Sequence, residues 1–227
     1  MKSNLTIAYF GGQIFGIAAA GVALFWSAGR LDWWAGWSVL GVWAAWYAMV
    51  DSVVLRSSPG LMRERMSPPK GSKGWDATLV SILRLVELAR YILAGLDQRY
   101  GWTVGFPVIA QGIAVLFCLL GAALFAWAMA SNPFFSQVLR IQSERGHAVA
   151  TSGPYRLVRH PGYAGMLVFE LALSTLLGSW IAIALAGVCA FLLILRTALE
   201  DRTLQAELPG YREFAQKTQY RLLPGVW

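Results

Sequence analysis

A chain of 227 residues that is 57% hydrophobic and 14% charged, with a mean hydropathy of +0.52, is too apolar for an ordinary soluble domain. Its net charge of +7 comes with no base-reading motif, so membrane topology and anionic lipid headgroups account for the basic residues better than nucleic acid does. Cys118 and Cys189 both fall inside apolar runs, which argues against a disulfide framework, and the two histidines are too few for a metal site with suitable ligand spacing.

A spanning helix needs about 20 mostly apolar residues, given a rise of about 1.5 Å per residue and a hydrocarbon core about 30 Å thick. Leu5 to about Ala28 carries no charge, and Trp33 to about Leu55 carries only Asp51, near its end, so two spans are predicted. The first is too long for a secretory signal and lacks its small-residue cleavage pattern, so it is expected to remain in the mature protein. Trp33, Trp34 and Trp37 are expected to anchor the helices at the membrane interface. The connection from Arg56 to Trp75 sets Pro59, Pro68, Pro69, Gly71 and Gly74 among basic residues and reads as a solvated or surface-lying loop.

Ala77 to Leu96 either spans the membrane or lies at its interface. It carries Arg84, Glu87 and Arg90, whose spacing of three lets them pair along one helix face. Val104 to about Ala130 is again an uncharged span. Ser131 to Pro161 is too long for a simple turn, and polar chemistry concentrates there in Arg140, Gln142, Glu144, Arg145, His147, Tyr155, Arg156, Arg159 and His160. Ser152-Gly153-Pro154 signals a turn, and Pro161 sits where the next helix begins, a position that tolerates its missing N–H. The start of that helix offers free N–H groups to an anion.

Residues 162 to 178 and 180 to 195 are two apolar runs parted around Gly178, Ser179 and Trp180, which predicts a helical hairpin. Its only charge, Glu170, sits mid-span and is marked as a functional candidate without an assigned role. The second arm is expected to end at Arg196, followed by a polar tail to Trp227. Arg196 and Glu200 are four residues apart and share one helix face, and the hairpin returns them to the surface where the polar connection lies. One pocket is therefore expected to gather Arg159, His160, Tyr163, Arg196 and Glu200.

The fold class that follows is all-α: a polytopic helical membrane protein of about five or six spans, including a C-terminal helical hairpin and ending in a cytoplasmic tail. There is no internal repeat or low-complexity tract. Residues 1–130 form N-terminal transmembrane helices with a basic loop, and 131–227 form the functional core. Basic residues resist translocation, and counting them places both termini in the cytoplasm. The inner segments hold Lys2, then Arg56, Arg63, Arg65, Lys70 and Lys73, then Arg140, Arg145, Arg156 and Arg159, then Arg196, Arg202, Arg212, Lys217 and Arg221, against Arg30 and Arg99 outside.

Four ordered blocks carry a resemblance over about residues 130 to 227: His147 to Tyr155 ending in Ser-Gly-Pro-Tyr, Arg159-His160-Pro161-Gly162-Tyr163, Arg196 with Glu200-Asp201, and Tyr211-Arg212-Glu213-Phe214 leading to Arg221-Leu222-Leu223-Pro224. In these the chain resembles the isoprenylcysteine carboxyl methyltransferase family and its bacterial and phospholipid-methylating relatives. The resemblance implies S-adenosylmethionine as cofactor. Its site would be lined by His147, Ala148, Val149, Ala150, Tyr155, His160, Pro161, Gly162 and Tyr163, completed by Glu200, with Arg140 and Gln142 of the same connection beside them.

The resemblance also implies that Arg196 faces a lipophilic or lipid-modified methyl acceptor, in a bacterial inner membrane. The family pattern has two glutamates where this chain has Glu200-Asp201. S-adenosylmethionine carries a sulfonium, an ammonium and a carboxylate, which suit Glu200 and the helix start at Pro161. If the acceptor is a carboxylate it is already ionised at neutral pH and needs no general base. Arg196 or Arg159 is then expected to hold it with a two-pronged contact. An amine or phenol acceptor would need Glu200 or a histidine to remove a proton.

Each residue also has a plainer reading. The histidines could be interfacial hydrogen-bonding residues, the arginines snorkelling ones, and Arg196–Glu200 an exposed helix pair. Two functional alternatives stay open. One is an NADPH-dependent membrane reductase of the sterol or steroid type, which shares an Arg-His-Pro-like motif and polar tail. The other is a non-catalytic scaffold that binds lipid or a partner.

Overall fold

The computed structural model of the chain describes residues 2–56 and 71–227. The greater part of the basic loop, from 57 to 70 with Pro59, Arg63, Arg65 and Lys70, lies outside the described residues. Among the described residues, six long helices form the bundle: α1 (Lys2–Ala28), α2 (Trp34–Arg56), α3 (Gly74–Tyr100), α4 (Val108–Ala130), α5 (Pro161–Leu176) and α6 (Trp180–Glu207), followed by a short α7 (Tyr211–Lys217). Two single-turn 3₁₀ helices, Ser143–Arg145 and Gly153–Arg156, punctuate the connection before α5, and the described residues contain no strand.

Local chemistry sets the ends of these helices. Gly101 adopts φ 65° and returns its N–H to the Asp97 carbonyl at 2.8 Å, closing α3 with the left-handed residue that glycine tolerates best. Pro161 opens α5, where its missing N–H costs nothing. The Ser179 hydroxyl caps α6 by accepting the Ala182 N–H at 3.2 Å. α6 does not stop at Arg196, where the apolar run ends, but continues to Glu207. Loss of hydrophobicity marks where a helix leaves its apolar surroundings, whereas only a cap or breaker ends it, and Pro209 and Gly210 come later.

The bundle is apolar on its outside as well as within. Ile14, Phe15, Val22 and Trp26 of α1 and Ile113, Leu116, Phe117 and Leu120 of α4 are all exposed, which in water would leave a large uncompensated apolar surface. Four of the described helices, α1, α2, α4 and α6, are long and apolar enough to cross a membrane. The chain is an integral membrane protein.

The charged helix α3 traverses the same thickness. Near its start Asp76 pairs with Arg196 on α6, and near its end Asp97 hydrogen-bonds Ser179, the residue that caps the start of α6. α3 therefore runs antiparallel to α6 along most of its length and does not lie flat at the interface.

Small residues let the helices approach closely, as expected where lipid supplies no hydrophobic drive between them. A Cβ on Gly121 of α4 would lie 2.7 Å from the Gly165 carbonyl oxygen on α5, and one on Gly165 would lie 2.7 Å from that of Gly121. Beside this crossing, Trp46 of α2 packs at 4.6 Å on Phe125 and 4.5 Å on Phe169, ring centre to ring centre. Trp46 and Phe125 of that group wall the inner end of the cavity described next.

Candidate active site

The carboxylate of Asp201, fully buried on α6, organises the polar face of the bundle. It receives Arg159 through Nε at 2.7 Å and Nη2 at 3.1 Å, the Tyr211 hydroxyl at 3.0 Å, Arg221 at 2.9 Å and Gln205 at 2.8 Å, and stands 3.2 Å from His160 Nε2. Arg159 Nη1 donates to the carbonyls of Thr218 and Gln219 at 2.9 and 2.7 Å. Next to it, the Arg159 and His160 N–H groups donate to the carbonyls of Tyr220 and Arg221, each at 2.9 Å. The tail is thus fastened against the loop before α5, and His160 is held on the bundle side of that junction. A buried carboxylate is tolerable because every lone pair has a donor.

One helical position earlier, Glu200 is partly exposed to the interior. It accepts the Tyr163 hydroxyl at 2.6 Å and lies 3.8 Å from His160 Nδ1. The His160 and Tyr163 rings stack at 5.8 Å, and the Arg196 guanidinium sits 5.1 Å above Tyr163. Arg196 is itself gripped side-on by Asp76, at 2.6 and 2.9 Å, and donates to the Gln137 carbonyl at 2.8 Å. Asp76 also accepts the Leu139 N–H at 2.7 Å, so a residue of α3 positions both Arg196 and the loop over it.

These groups border a cavity of about 370 Å³. Arg140, His147, Ala148, Val149, Ala150, Tyr155, Arg159, His160, Gly162, Tyr163, Arg196 and Glu200 all line it. The separate blocks of the polar connection, the start of α5 and the far end of α6 therefore meet at one place. Pro161 and Gln142 are not on the lining. Pro161 sets the helix start, and Gln142 is a buried brace that donates to the Phe134 carbonyl at 2.8 Å and offers its own N–H to His147 Nδ1 at 3.2 Å. Arg140 pairs with Glu144 at 2.8 Å.

The structure gives Arg159 a different setting from the one expected. Its Nε, Nη1 and Nη2 are all engaged, by Asp201 and by tail carbonyls, so no two-pronged face is presented to an acceptor. Arg196 likewise has its Nε–Nη2 edge taken. Arg196 and Glu200 share a face of α6 but hold different partners, Asp76 and Tyr163, so they are not a surface helix pair.

Sequence reading missed two residues that the site depends on. Asp76 lies at the start of a helix whose charges drew attention further along, and nothing local links it to Arg196, 120 positions away. Asp201 was visible only as a departure from a paired-glutamate pattern. Tyr155, whose hydroxyl accepts from Asn132 at 3.2 Å, has its phenol pushed well above the ordinary tyrosine range by burial, and so stays neutral.

The pocket's inner end is different. Trp43, Trp46, Phe125, Met166 and Leu193 wall it, together with Arg84, Glu87 and Glu170. Glu170 pairs with the fully buried Arg90, which also lies 3.8 Å from Glu87. The mid-span glutamate thus has its partner on α3, and the charges expected to pair along one helix face also reach across to α5.

Residues 113–206 match the isoprenylcysteine carboxyl methyltransferase (ICMT) family. A rice (Oryza sativa subsp. indica) protein named probable protein-S-isoprenylcysteine O-methyltransferase is 33% identical over 90 residues, 37% of this chain and 44% of that protein. Protein-S-isoprenylcysteine O-methyltransferase B of Arabidopsis thaliana is 28% identical over 148 residues, 62% of this chain and 75% of that protein. The cobalt-zinc-cadmium resistance protein CzcN of Cupriavidus metallidurans is 35% identical over 83 residues, 35% of this chain and 38% of that protein. The chain thus spans less than half the length of the rice relative. The matched segment runs from α4 through the polar connection to the end of α6 and so contains every pocket residue expected from the sequence. On this match, the segment from 113 to 206 is similar to the isoprenylcysteine carboxyl methyltransferase family.

Proposed function

We propose that the protein is an S-adenosylmethionine-dependent methyltransferase acting on a lipophilic acceptor, a carboxylate, at the cytoplasmic face of the membrane. The observation that carries this reading is the cavity that joins a polar end, with Glu200, Tyr163, His160 and the loop from His147 to Ala150, to an end deep in the bundle walled mostly by apolar side chains. Its volume of about 370 Å³ is in the range of small-molecule and cofactor sites. The residues present fit the cofactor: Glu200 offers a carboxylate to a cationic group, the Tyr163 and His160 rings offer aromatic faces, and the start of α5 offers N–H groups to an anion.

When bound, S-adenosylmethionine supplies an electrophilic methyl group on a sulfonium. The protein's own contribution is placement. Asp76 holds Arg196 over Tyr163, leaving its outward Nη1 side to contact an acceptor carboxylate, and Arg159 serves as a positioning residue that pins the tail. Walls of Trp46, Phe125 and Leu193 exclude water from the inner end. Alignment of this kind lowers a barrier by about 7–11 kcal/mol when the reacting atoms are held near contact. Residues 131–227 then hold the cofactor, and the first helices supply much of the acceptor's surroundings.

Calorimetry on the detergent-purified protein tests this. S-adenosylmethionine is expected to bind, and Glu200→Gln to weaken it by about tenfold or more, the effect of losing a charge-assisted hydrogen bond. Saturable binding of NADPH alone would replace the reading with a membrane reductase. Binding of neither by folded protein would leave a non-catalytic scaffold.

A further inference from the structure

The inner end of the cavity is not the plain apolar slot that a hydrocarbon arm requires. Glu87 and Glu170 line it with side chains 28% and 13% exposed, and Arg84 joins them. Glu87 already accepts the Tyr91 hydroxyl at 2.8 Å and Glu170 the Arg90 guanidinium, but a purely apolar ligand would still press hydrocarbon against their remaining lone pairs and strip water from them without replacing its hydrogen bonds.

Behind these carboxylates Arg90 is fully buried, and among the described residues its Nε and Nη2 are the only buried side-chain nitrogens or oxygens without a hydrogen-bond partner. Nη2 lies 3.8 Å from Glu87 Oε1, too far for a direct hydrogen bond, and Arg90 has no surface on the cavity, so it acts on a ligand there through the charges of Glu87 and Glu170. Two arginines face two glutamates here, so the formal charges balance. A charged ligand group would upset that balance where charge interactions are least screened. The suitable partner is neutral and donates to a carboxylate, which describes a hydroxyl.

We propose that the acceptor carries a hydroxyl group on its lipophilic arm, bound at the inner end of the cavity by Glu87 and Glu170, with Arg90 behind them as their counter-charge. The inference rests on the methyltransferase reading of the same cavity and narrows its substrate class to hydroxylated lipophiles. Tyr163 and Glu170 stand seven residues apart on α5, so the hydroxyl lies about 10 Å from the carboxylate end at 1.5 Å per residue. A simple interhelical staple between α3 and α5 would explain the Arg90–Glu170 pair. It would not explain why both glutamates face the cavity.

Decanoic acid and 10-hydroxydecanoic acid make a suitable probe pair, since both carry a carboxylate and only one carries a distal hydroxyl. Their binding to the detergent-purified full chain is measured by calorimetry with S-adenosylhomocysteine present, and compared at equal free concentration outside the micelles. The hydroxy acid is expected to bind about tenfold more tightly, the effect of one well-placed hydrogen-bonding group. The double substitution Arg90→Met with Glu170→Leu replaces the pair by apolar volume and is expected to abolish the preference. Glu87→Leu, which leaves that pair intact, is expected to reduce it at least threefold and serves if the double variant does not fold.

Equal affinity for the two acids, failure of both to bind, or a preference that survives the substitutions would overturn the proposal. Binding of S-adenosylmethionine to the same sample is scored separately. A protein that binds it but does not distinguish the acids keeps the methyltransferase reading and loses this one. A protein that distinguishes the acids without binding it keeps a hydroxyl-recognising pocket but loses the methyltransferase reading, and with it the assignment of that ligand as the methyl acceptor.

Discussion

Arg159 and Arg196 each grip a fully buried aspartate side-on, Arg159 holding Asp201 at 2.7 and 3.1 Å and Arg196 holding Asp76 at 2.6 and 2.9 Å. The tail side of the pocket closes around its bridge. Arg159 spends its remaining donors on tail carbonyls, and Asp201 also takes Tyr211, Gln205 and Arg221. The α3 side leaves its bridge open. Arg196 gives one further bond, to the Gln137 carbonyl, and lies over Tyr163 at the cavity wall. The same ion pair is therefore a fastening where the protein takes every donor, and a presentation device where one side of the guanidinium is left to the pocket.

Breaking the closed side is expected to have the largest effect. Asp201→Ala leaves a buried guanidinium without its counter-charge and strands His160, Tyr211 and Arg221 as well. Removing one partner of a buried pair costs about 3–5 kcal/mol, so the variant should melt at a markedly lower temperature in detergent or fail to hold its tail. If it melted with the wild type, the tail would be fastened by something other than Asp201, and the contrast between the two sides would lose its basis.

The open side should respond differently. Asp76→Asn keeps an oxygen for the Leu139 N–H and for one Arg196 nitrogen, but removes the charge that orients the guanidinium. The expected result is a folded protein whose affinity for S-adenosylmethionine changes less than about threefold while kcat falls about tenfold, since one charge-assisted contact is worth about 1.5–3 kcal/mol. A loss of cofactor affinity at unchanged kcat would place Arg196 on the cofactor instead of the acceptor.

Much of this architecture can be read from the sequence. Long uncharged runs are the clearest signal a chain carries, so α1, α2 and α4 lie where the apolar stretches predict them, and Gly178 and Ser179 mark the turn into α6. The pocket's loop and hairpin residues were legible because they fall in four short ordered blocks. What escaped depends on contacts across the bundle. Asp76 meets Arg196 over 120 positions, and Glu170 meets Arg90 over 80, and no periodicity within one helix encodes which neighbour a charge will face. The roles of Arg159 and Gln142 escaped for a related reason. Composition shows that a polar residue approaches a site but not whether the protein itself uses up its donors.

The third side of the pocket, the loop with His147, offers the smallest and most specific test. His147 Nδ1 accepts the Gln142 N–H at 3.2 Å, and its ring lies 4.6 Å from that of Phe134. Burial is the chief cause that keeps its pKa below the ordinary histidine value, followed by the positive charges of Arg140 and Arg145, with Glu144 opposing. In the window between that lowered value and about 6.5 the unfolded chain binds the proton that the folded chain refuses. His147 therefore contributes stability that is fully present above about pH 6.5 and is lost as the pH falls through the window. Melting temperatures of wild type and His147→Gln, followed from pH 7.5 down to 5, should show the wild type losing ground to the variant. The shift should be modest, because the ring is only partly buried and solvent screens it. The opposite slope would mean that Glu144 outweighs burial and the two arginines together and that the imidazole gains a proton on folding. The loop would then present a cation to the cofactor site instead of a neutral ring.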